Sequence, residues 1–336
     1  MIVLELLLVA SLNLHDMYLL LDIGGTFIKA AAWSPRHPKD LLHLTKVESH
    51  GGMQCDPGLF VAAVRGLIDP FLQVFQFKGC VSSTQLYSLV CVNDRAEALS
   101  PFISWQDTSF PALPAGSSAV SIGDYVIAAL CELARTPAIS SSVSHALKRR
   151  LEGWDQARVN VPQTTNMRVV GELRGGIPCY TPIGDSQLAL YGAMLDDDEV
   201  AVNIGTGGQV STLRKPKHPD VGVAIPYFDG VPLYTITHLP AGRTLTGTIG
   251  RWYEDPEAEP TRRMFYMMAE IYAKAIHDLS GERTPSLVFC GGVCKRHRAL
   301  VEAIATQAGI TDYRFSHWGE DSLGGLARIA EELDDT

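Results

Sequence analysis

Short apolar runs along the chain end repeatedly in glycine-bearing turns. The run Tyr18-Leu19-Leu20-Leu21 predicts a buried strand that starts at Met17 and ends at Asp22-Ile23-Gly24-Gly25-Thr26. Phe27 to Trp33 reads as a second strand. After a proline-containing turn over Ser34 to Lys39, Leu41 to Val47 reads as a third, so the chain opens as a meander. Leu59, Phe60, Ala63, Leu67 and Phe71 recur at helical spacing and predict a helix over Pro57 to Phe75. Two further strands, Gly79 to Ser83 and Tyr87 to Val92, flank a polar loop. A helix over Ser121 to Leu133 is capped by Ser121. Residues 134 to 180 are mixed, with the pair Gly153-Trp154 and polar turns, and are expected to form the outer edge of a first domain.

The second half repeats this plan. Glu199 to Asn203, Gln209 to Leu213 and Leu233 to Thr237 read as strands, a helix begins over Arg243 to Trp252, and Thr261 to Asp278 is a long amphipathic helix. The acidic run Glu254 to Pro260 reads as a loop. Ser286 to Cys290 is a further strand before Gly291-Gly292-Val293 and another helix, and Asp321 to Leu333 closes the chain as a helix. Strand, glycine turn and meander followed by helices, occurring twice, point to a duplicated α/β domain.

The chain has 336 residues, enough for two cores rather than one. Its net charge of −9, with 28 basic residues and no basic stripe, argues against a nucleic-acid partner. Lys148-Arg149-Arg150 reads as a solvated helix face. Lys295-Arg296-His297-Arg298 follows a glycine turn and is a candidate for chemistry. None of the seven cysteines forms a CxxC pair or shares metal-ligand spacing with histidine, so a reducing, cytoplasmic setting is expected. Met1 to Leu14 resembles the apolar core of a signal peptide but lacks a basic start and a small-residue cleavage site, and it is too short to span a bilayer. Residues 1 to 16 are therefore expected to be an upstream start or an added helix. No other segment is expected to reach transmembrane length, and no membrane partner is expected.

Chemistry enters at the turns. Behind a buried strand, Gly24 and Gly25 let backbone N–H groups approach phosphate oxygens, Thr26 adds a hydroxyl, and Asp22 can hold a cation or its water. A plain Gly-Gly hairpin would look much the same. A near copy at Asn203-Ile204-Gly205-Thr206-Gly207-Gly208 favours the phosphate reading. Asp185, in Ile183-Gly184-Asp185-Ser186, offers a single carboxylate that could accept a hydroxyl proton. It also stands where a helix N-cap would, and both roles can hold together.

Taken in chain order, these turns, the adenosine-type run Leu287-Val288-Phe289-Cys290-Gly291-Gly292-Val293 and the Asp185 loop resemble the FGGY carbohydrate kinases, of the superfamily that joins actin and hexokinase. Ser83-Thr84-Gln85-Leu86-Tyr87-Ser88-Leu89-Val90 and Pro101-Phe102-Ile103-Ser104-Trp105-Gln106-Asp107 resemble the paired strands by which that family grips a sugar. Ile225-Pro226-Tyr227-Phe228-Asp229-Gly230, with Ala241-Gly242-Arg243-Thr244-Leu245, looks most like the sedoheptulokinase branch. Tyr87 stands where the commoner pattern has histidine.

The resemblance implies an α/β fold of two actin-like domains around a cleft, a sugar-binding domain over 17–195 and a nucleotide-binding domain over 196–336. It implies ATP and Mg2+ as cofactors, with Asp22 organising the metal and Asp185 taking the proton. Gln85, Leu86, Tyr87, Trp105, Gln106, Asp107 and Asp185 would bind substrate. Taken alone, a tryptophan such as Trp105 is more often a core residue than a platform. Gly24, Gly25, Thr26, Lys29, Gly205, Thr206, Gly207, Gly242, Gly291, Gly292 and Lys295 would bind nucleotide, although Lys295 could instead cap its turn. Only Glu254 to Arg263 separates two helices between which the family carries a long insertion, so the second domain is expected to be shortened. The expected reaction is phosphorylation of a ketose, sedoheptulose first, with xylulose or another polyol as the alternative. A catalytically silent sugar- or nucleotide-binding protein is the reading from another class. A homodimer is a further expectation.

Overall fold

The computed structural model describes residues 16–335 apart from 50, 51, 110, 136, 137, 153–160, 162, 163, 166 and 219. The apolar N-terminal segment and the Gly153-Trp154 pair therefore lie outside the described residues. The chain forms two compact units, one running to Leu188 and taking back the chain from Ser322, the other Ala189–Asp321. Residues 322–336, assigned with the second domain on sequence grounds, group with the first unit instead.

In the first unit, strand Met17–Ile23 is buried along its whole length. That burial is why an unbroken apolar run is needed there. It pairs antiparallel with Phe27–Trp33 and parallel with Phe77–Thr84. The sheet runs in the order Val169–Leu173, Ile177–Tyr180, Phe77–Thr84, Met17–Ile23, Phe27–Trp33, Leu42–Glu48, and Ile183–Gly184 pairs with the far end of Phe77–Thr84. The stretch expected to be a mixed outer edge thus supplies both strands on one side of this sheet, one of them directly beside Phe77–Thr84. It also forms the helix Ser141–Glu152.

Helix Pro57–Val74 is N-capped by Asp56, whose carboxylate accepts the Leu59 N–H at 2.9 Å. Contrary to the sequence expectation, it is long and apolar enough to cross a membrane by length and composition. Phe60, Val61, Val64, Leu67, Ile68 and Phe71 nonetheless pack one face of it into the core beside helix Ile122–Leu130.

The second unit follows the same plan. Glu199–Ile204 pairs antiparallel with Gly208–Thr212 and parallel with Ser286–Cys290, within the order Val223–Pro226, Pro232–Leu239, Gly208–Thr212, Glu199–Ile204, Ser286–Cys290, Tyr313–Phe315. Helices Glu259–Ser280 and Arg298–Gln307 bury Phe265, Met268, Tyr272, Leu300 and Ile304 against one face of this sheet. Leu190, Ala193, Ala201, Ile225, Leu233 and Val288 fill the other. Each unit therefore has three antiparallel strands with a parallel strand added beside the first, which is the duplication read from the sequence; they form a meander only in the first unit, because in the second Val223–Pro226 precedes Pro232–Leu239 in the chain and lies at the sheet edge. The loop expected at Glu254 to Pro260 is shorter than expected, because the long helix already begins at Glu259 with proline in its first turn.

Candidate active site

In the first unit three neighbouring strands end together. Asp22 lies opposite Ser83 and Ile23 opposite Thr84, while Ile183 and Gly184 pair with Ser83 and Thr84 from the other side. Parallel pairing thus delivers Asp22, the Gln85 loop and Asp185 to one end of the sheet, where α/β folds place ligands. Asp22 is almost fully buried, with 2% exposure. One of its carboxylate oxygens pairs with Lys29 Nζ at 3.0 Å, from the adjoining strand, and the other accepts the Ser83 hydroxyl.

Asp185 opens the helix Asp185–Gly192. Its Oδ1 accepts the Ser186 N–H at 2.8 Å, and the Leu86 N–H also donates to the carboxylate. The helix N-terminal position and a carboxylate held by two backbone N–H groups therefore coincide. Desolvation first, and the negative charge of Asp22 second, push Asp185 up to about 7 against the pull of those two N–H donors and of Lys29. A carboxylate at that value can take a proton from an alcohol near neutral pH.

The sugar-type loops meet the first glycine turn. A Cβ on Gly25 would come within 3.3 Å of Gln85 Oε1 and 3.4 Å of Trp105 Nε1, so both polar heads converge on this glycine. Ser88 joins them. Its hydroxyl donates to Gln85 Oε1 at 2.8 Å and accepts the Trp105 N–H at 2.9 Å. Trp105 is partly exposed, which favours the platform over the core reading, and Gln85 is buried. Tyr87 adopts φ 64°, a left-handed conformation that β-carbon residues seldom take. Desolvation raises its phenol pKa.

Asp107 differs from the expectation of a sugar ligand. Its carboxylate accepts Ser109 N–H, Ser109 hydroxyl and Gln54 Nε2 at 2.8, 2.5 and 3.0 Å, which hold it below its ordinary value and tie it to its own loop. Gln106 is partly exposed, Gly24 closes the turn against the Phe27 carbonyl, and Thr26 is exposed.

The basic trio at 148 to 150 is not uniformly a solvated face. Lys148 and Arg149 are exposed, but the Arg150 guanidinium donates to the carbonyls of Ser104, Trp105 and Asp107 at 3.0, 3.0 and 2.5 Å. Sequence reasoning read Arg150 only as part of a solvated face and gave Ser88, although it stands within the sugar-type segment Ser83 to Val90, no role of its own; each acts through backbone or side-chain groups brought near it by the fold.

In the second unit three backbone turns meet. The Gly242 N–H donates to Gly205 O at 3.0 Å, and Gly205 N–H to Gly207 O at 2.9 Å. Gly291, at φ 88°, leaves no room for a Cβ, which would lie 2.3 Å from Ile204 O. The turns carrying Gly205 and Thr206, Gly242, and Gly291 are thus brought together. A Cβ on Gly205 or Gly292 would meet nothing within 4 Å, so backbone is reachable there.

Lys295 behaves differently from a phosphate ligand. Its ammonium is bound to Trp318 O and Asp321 Oδ1 at 2.5 and 2.6 Å, while Asp321 Oδ2 accepts the Gly291 N–H at 2.7 Å. Of the two readings, the cap of the Gly291 turn is the one this geometry carries, and Asp321, unremarked in the sequence, is its centre. Arg296 pairs with Glu254 at the surface, and Arg243 is exposed.

No family model matches the chain, and no curated protein matches it in sequence. Solved structures do. The chain is similar to the ligand-bound xylulose kinase from Lactobacillus acidophilus, with a TM-score of 0.73 at 13% identity over 96% of this chain and 90% of that one. It is similar to Plasmodium falciparum glycerol kinase with ADP, with a TM-score of 0.72 at 13% identity over 95% and 90% of the two chains. Against the gluconate kinase from Lactobacillus acidophilus the TM-score is 0.69 at 13% identity over 96% and 91%. At these identities the likeness is one of fold: the chain has the two-domain α/β fold of these xylulose, glycerol and gluconate kinases.

Proposed function

We propose that the chain is an ATP-dependent carbohydrate kinase that transfers the γ-phosphoryl group of ATP to a terminal hydroxyl of a ketose, with sedoheptulose the first candidate. The observation that carries this reading is the meeting of Asp22, Lys29, Asp185, Gln85 and Trp105 at one end of the first sheet, with Asp185 pushed up to about 7. Phosphoryl transfer needs an oriented alcohol, a proton acceptor and neutralised charge, and little covalent help. Asp185 would accept the hydroxyl proton. Gln85 and the Trp105 indole N–H, an acceptor and a donor converging on Gly25, would orient the polyol.

The second unit would hold the nucleotide on the backbone of Gly205, Thr206, Gly242, Gly291 and Gly292. The open space at Gly205 and Gly292 fits such a ligand. Among the described residues no group of three or more His, Cys, Asp or Glu side chains could hold a metal. Asp22, whose two oxygens are bonded to Lys29 Nζ and the Ser83 hydroxyl, would be the residue that steers a Mg2+ brought with the nucleotide. When bound, that ion would neutralise phosphate charge.

The likeness to xylulose and glycerol kinases supports xylulose or another polyol as the second substrate reading. Labelled ATP offered with sedoheptulose, xylulose, glycerol and gluconate separates the two. Label appearing on the seven-carbon ketose with the highest kcat/KM is the expected result, and label only on another polyol would move the substrate. Calorimetry with ATP and Mg2+ tests the silent-protein reading: saturable binding with no transfer to any polyol would favour it.

A further inference from the structure

The structure assigns Arg150 as the positioning residue that presents Trp105 to the polyol, an inference that rests on the proposed sugar site. Arg150 lies in the last turn of helix Ser141–Glu152, where the helix dipole favours a cation. Three carbonyls from a four-residue loop, those of Ser104, Trp105 and Asp107, turn toward its guanidinium at 3.0, 3.0 and 2.5 Å. The backbone N–H groups of that loop are held as well. Ser104 N–H donates to Met53 O at 2.9 Å, Trp105 N–H to the Ser88 hydroxyl at 2.9 Å, Gln106 N–H to the Ser104 hydroxyl at 3.2 Å, and Asp107 N–H to Ser104 O at 2.9 Å. Both polar groups of the Trp105 backbone are thereby committed, and its indole Nε1 is left beside Gly25 and Gln85 Oε1.

Three carbonyl dipoles gathered at one point repel one another unless a donor with several hydrogens lies between them. A planar guanidinium meets that need because its N–H bonds diverge in a fixed fork. An ammonium at the same place is a point donor and cannot serve three separated oxygens with equal geometry. Without Arg150 the carbonyls turn outward to water, and the peptide planes on either side of Trp105 turn with them. The indole then loses its place against Gly25. Since Arg150 reaches the loop through backbone oxygens, it governs how the polyol is held and leaves the proton acceptor and the nucleotide turns untouched.

The test combines kinetics with a readout of the loop itself. In Arg150→Ala the KM for the polyol is expected to rise about 30- to 100-fold, while the KM for ATP and kcat stay within about threefold. Added guanidinium ion should recover part of the polyol KM, and Arg150→Lys should recover less than half of the loss. Lys148→Ala, an exposed neighbour on the same helix, should leave all parameters unchanged. Acrylamide quenching, read as the difference between each protein and its Trp105→Phe counterpart, should show Trp105 more accessible in Arg150→Ala at an unchanged melting temperature. Equal polyol KM and equal Trp105 quenching in Arg150→Ala and the parent would overturn the inference. So would a loss shared equally between polyol and ATP that guanidinium does not relieve. If the parent protein phosphorylates no polyol, the kinase reading falls by itself, and Trp105 quenching still decides whether Arg150 orders the loop.

Discussion

Two carboxylates raised by desolvation dominate the residue scale, Asp185, which is partly buried, and Asp124, which is buried. Asp185 is expected to be the proton acceptor, so Asp185→Asn should lower phosphoryl transfer about 100- to 10,000-fold while polyol binding by calorimetry stays within about threefold. Only the ionised form accepts a proton, and burial with Asp22 nearby raises Asp185 to about 7. The kcat/KM for the polyol should therefore climb with pH to a plateau, with an apparent pKa near that value, and the climb should vanish in the asparagine variant. Asp124 is a second case with no place in the proposed chemistry. It is buried in helix Ile122–Leu130, bonded to the N-cap Ser121, and desolvation raises it to about 7 from 3.8. Between those two values the folded state holds a proton that the unfolded chain has released. Its stabilising effect is complete below about 4, declines as pH rises, and is lost above about 7. Asp124→Asn should accordingly raise the melting temperature relative to the parent at pH 8 and leave it nearly unchanged at pH 4.

At the scale of elements, the glycine turns separate ligand binding from folding. A side chain at Gly205 meets open space, so Gly205→Val should leave the melting temperature within about 2 °C while weakening ATP binding at least tenfold in calorimetry. Gly291 stands at φ 88° with Ile204 O where its Cβ would be, so Gly291→Ala should cost about 2 to 4 kcal/mol in denaturant unfolding, whatever it does to nucleotide. Equal loss of stability in both variants would contradict this division. The strands leading into these turns were legible in the sequence because burial on both faces demands an unbroken apolar run. Phe27 to Trp33 and Ser286 to Cys290 carry the bounds expected of them. Short strands such as Val223–Pro226 and Tyr313–Phe315 were not legible, since three or four residues hold too little periodicity. Arg150, Ser88 and Asp321 were hidden for a different reason. Apart from Gln85, three residues from Ser88, their partners lie about 17 to 46 residues away in sequence, and those contacts run largely through backbone atoms that every residue type shares.

On the scale of the whole molecule, the last helix, Asp321–Asp334, returns from the second unit to the first. Leu323, Leu326, Ala327, Ile329 and Ala330 are buried, and Gly325 packs so closely on Leu188 O that no Cβ would fit. Lys78 ties the far end of this helix to the first sheet through Asp334 at 2.7 Å. Ending the chain before Ser322 should therefore destabilise the first unit, lowering its unfolding midpoint and exposing apolar surface to a hydrophobic dye, although the deleted helix follows the second unit in sequence. The amino-acid sequence by itself determined the duplicated α/β plan and the glycine turns, because apolar period and backbone freedom are local properties of residue type. Tertiary structure alone decided which unit owns the last helix, that Lys295 is spent on Asp321, and that Arg150 orders the Trp105 loop. Those outcomes depend on which groups parallel strand pairing and helix packing bring within hydrogen-bonding distance, and a pattern along the chain carries no measure of that distance.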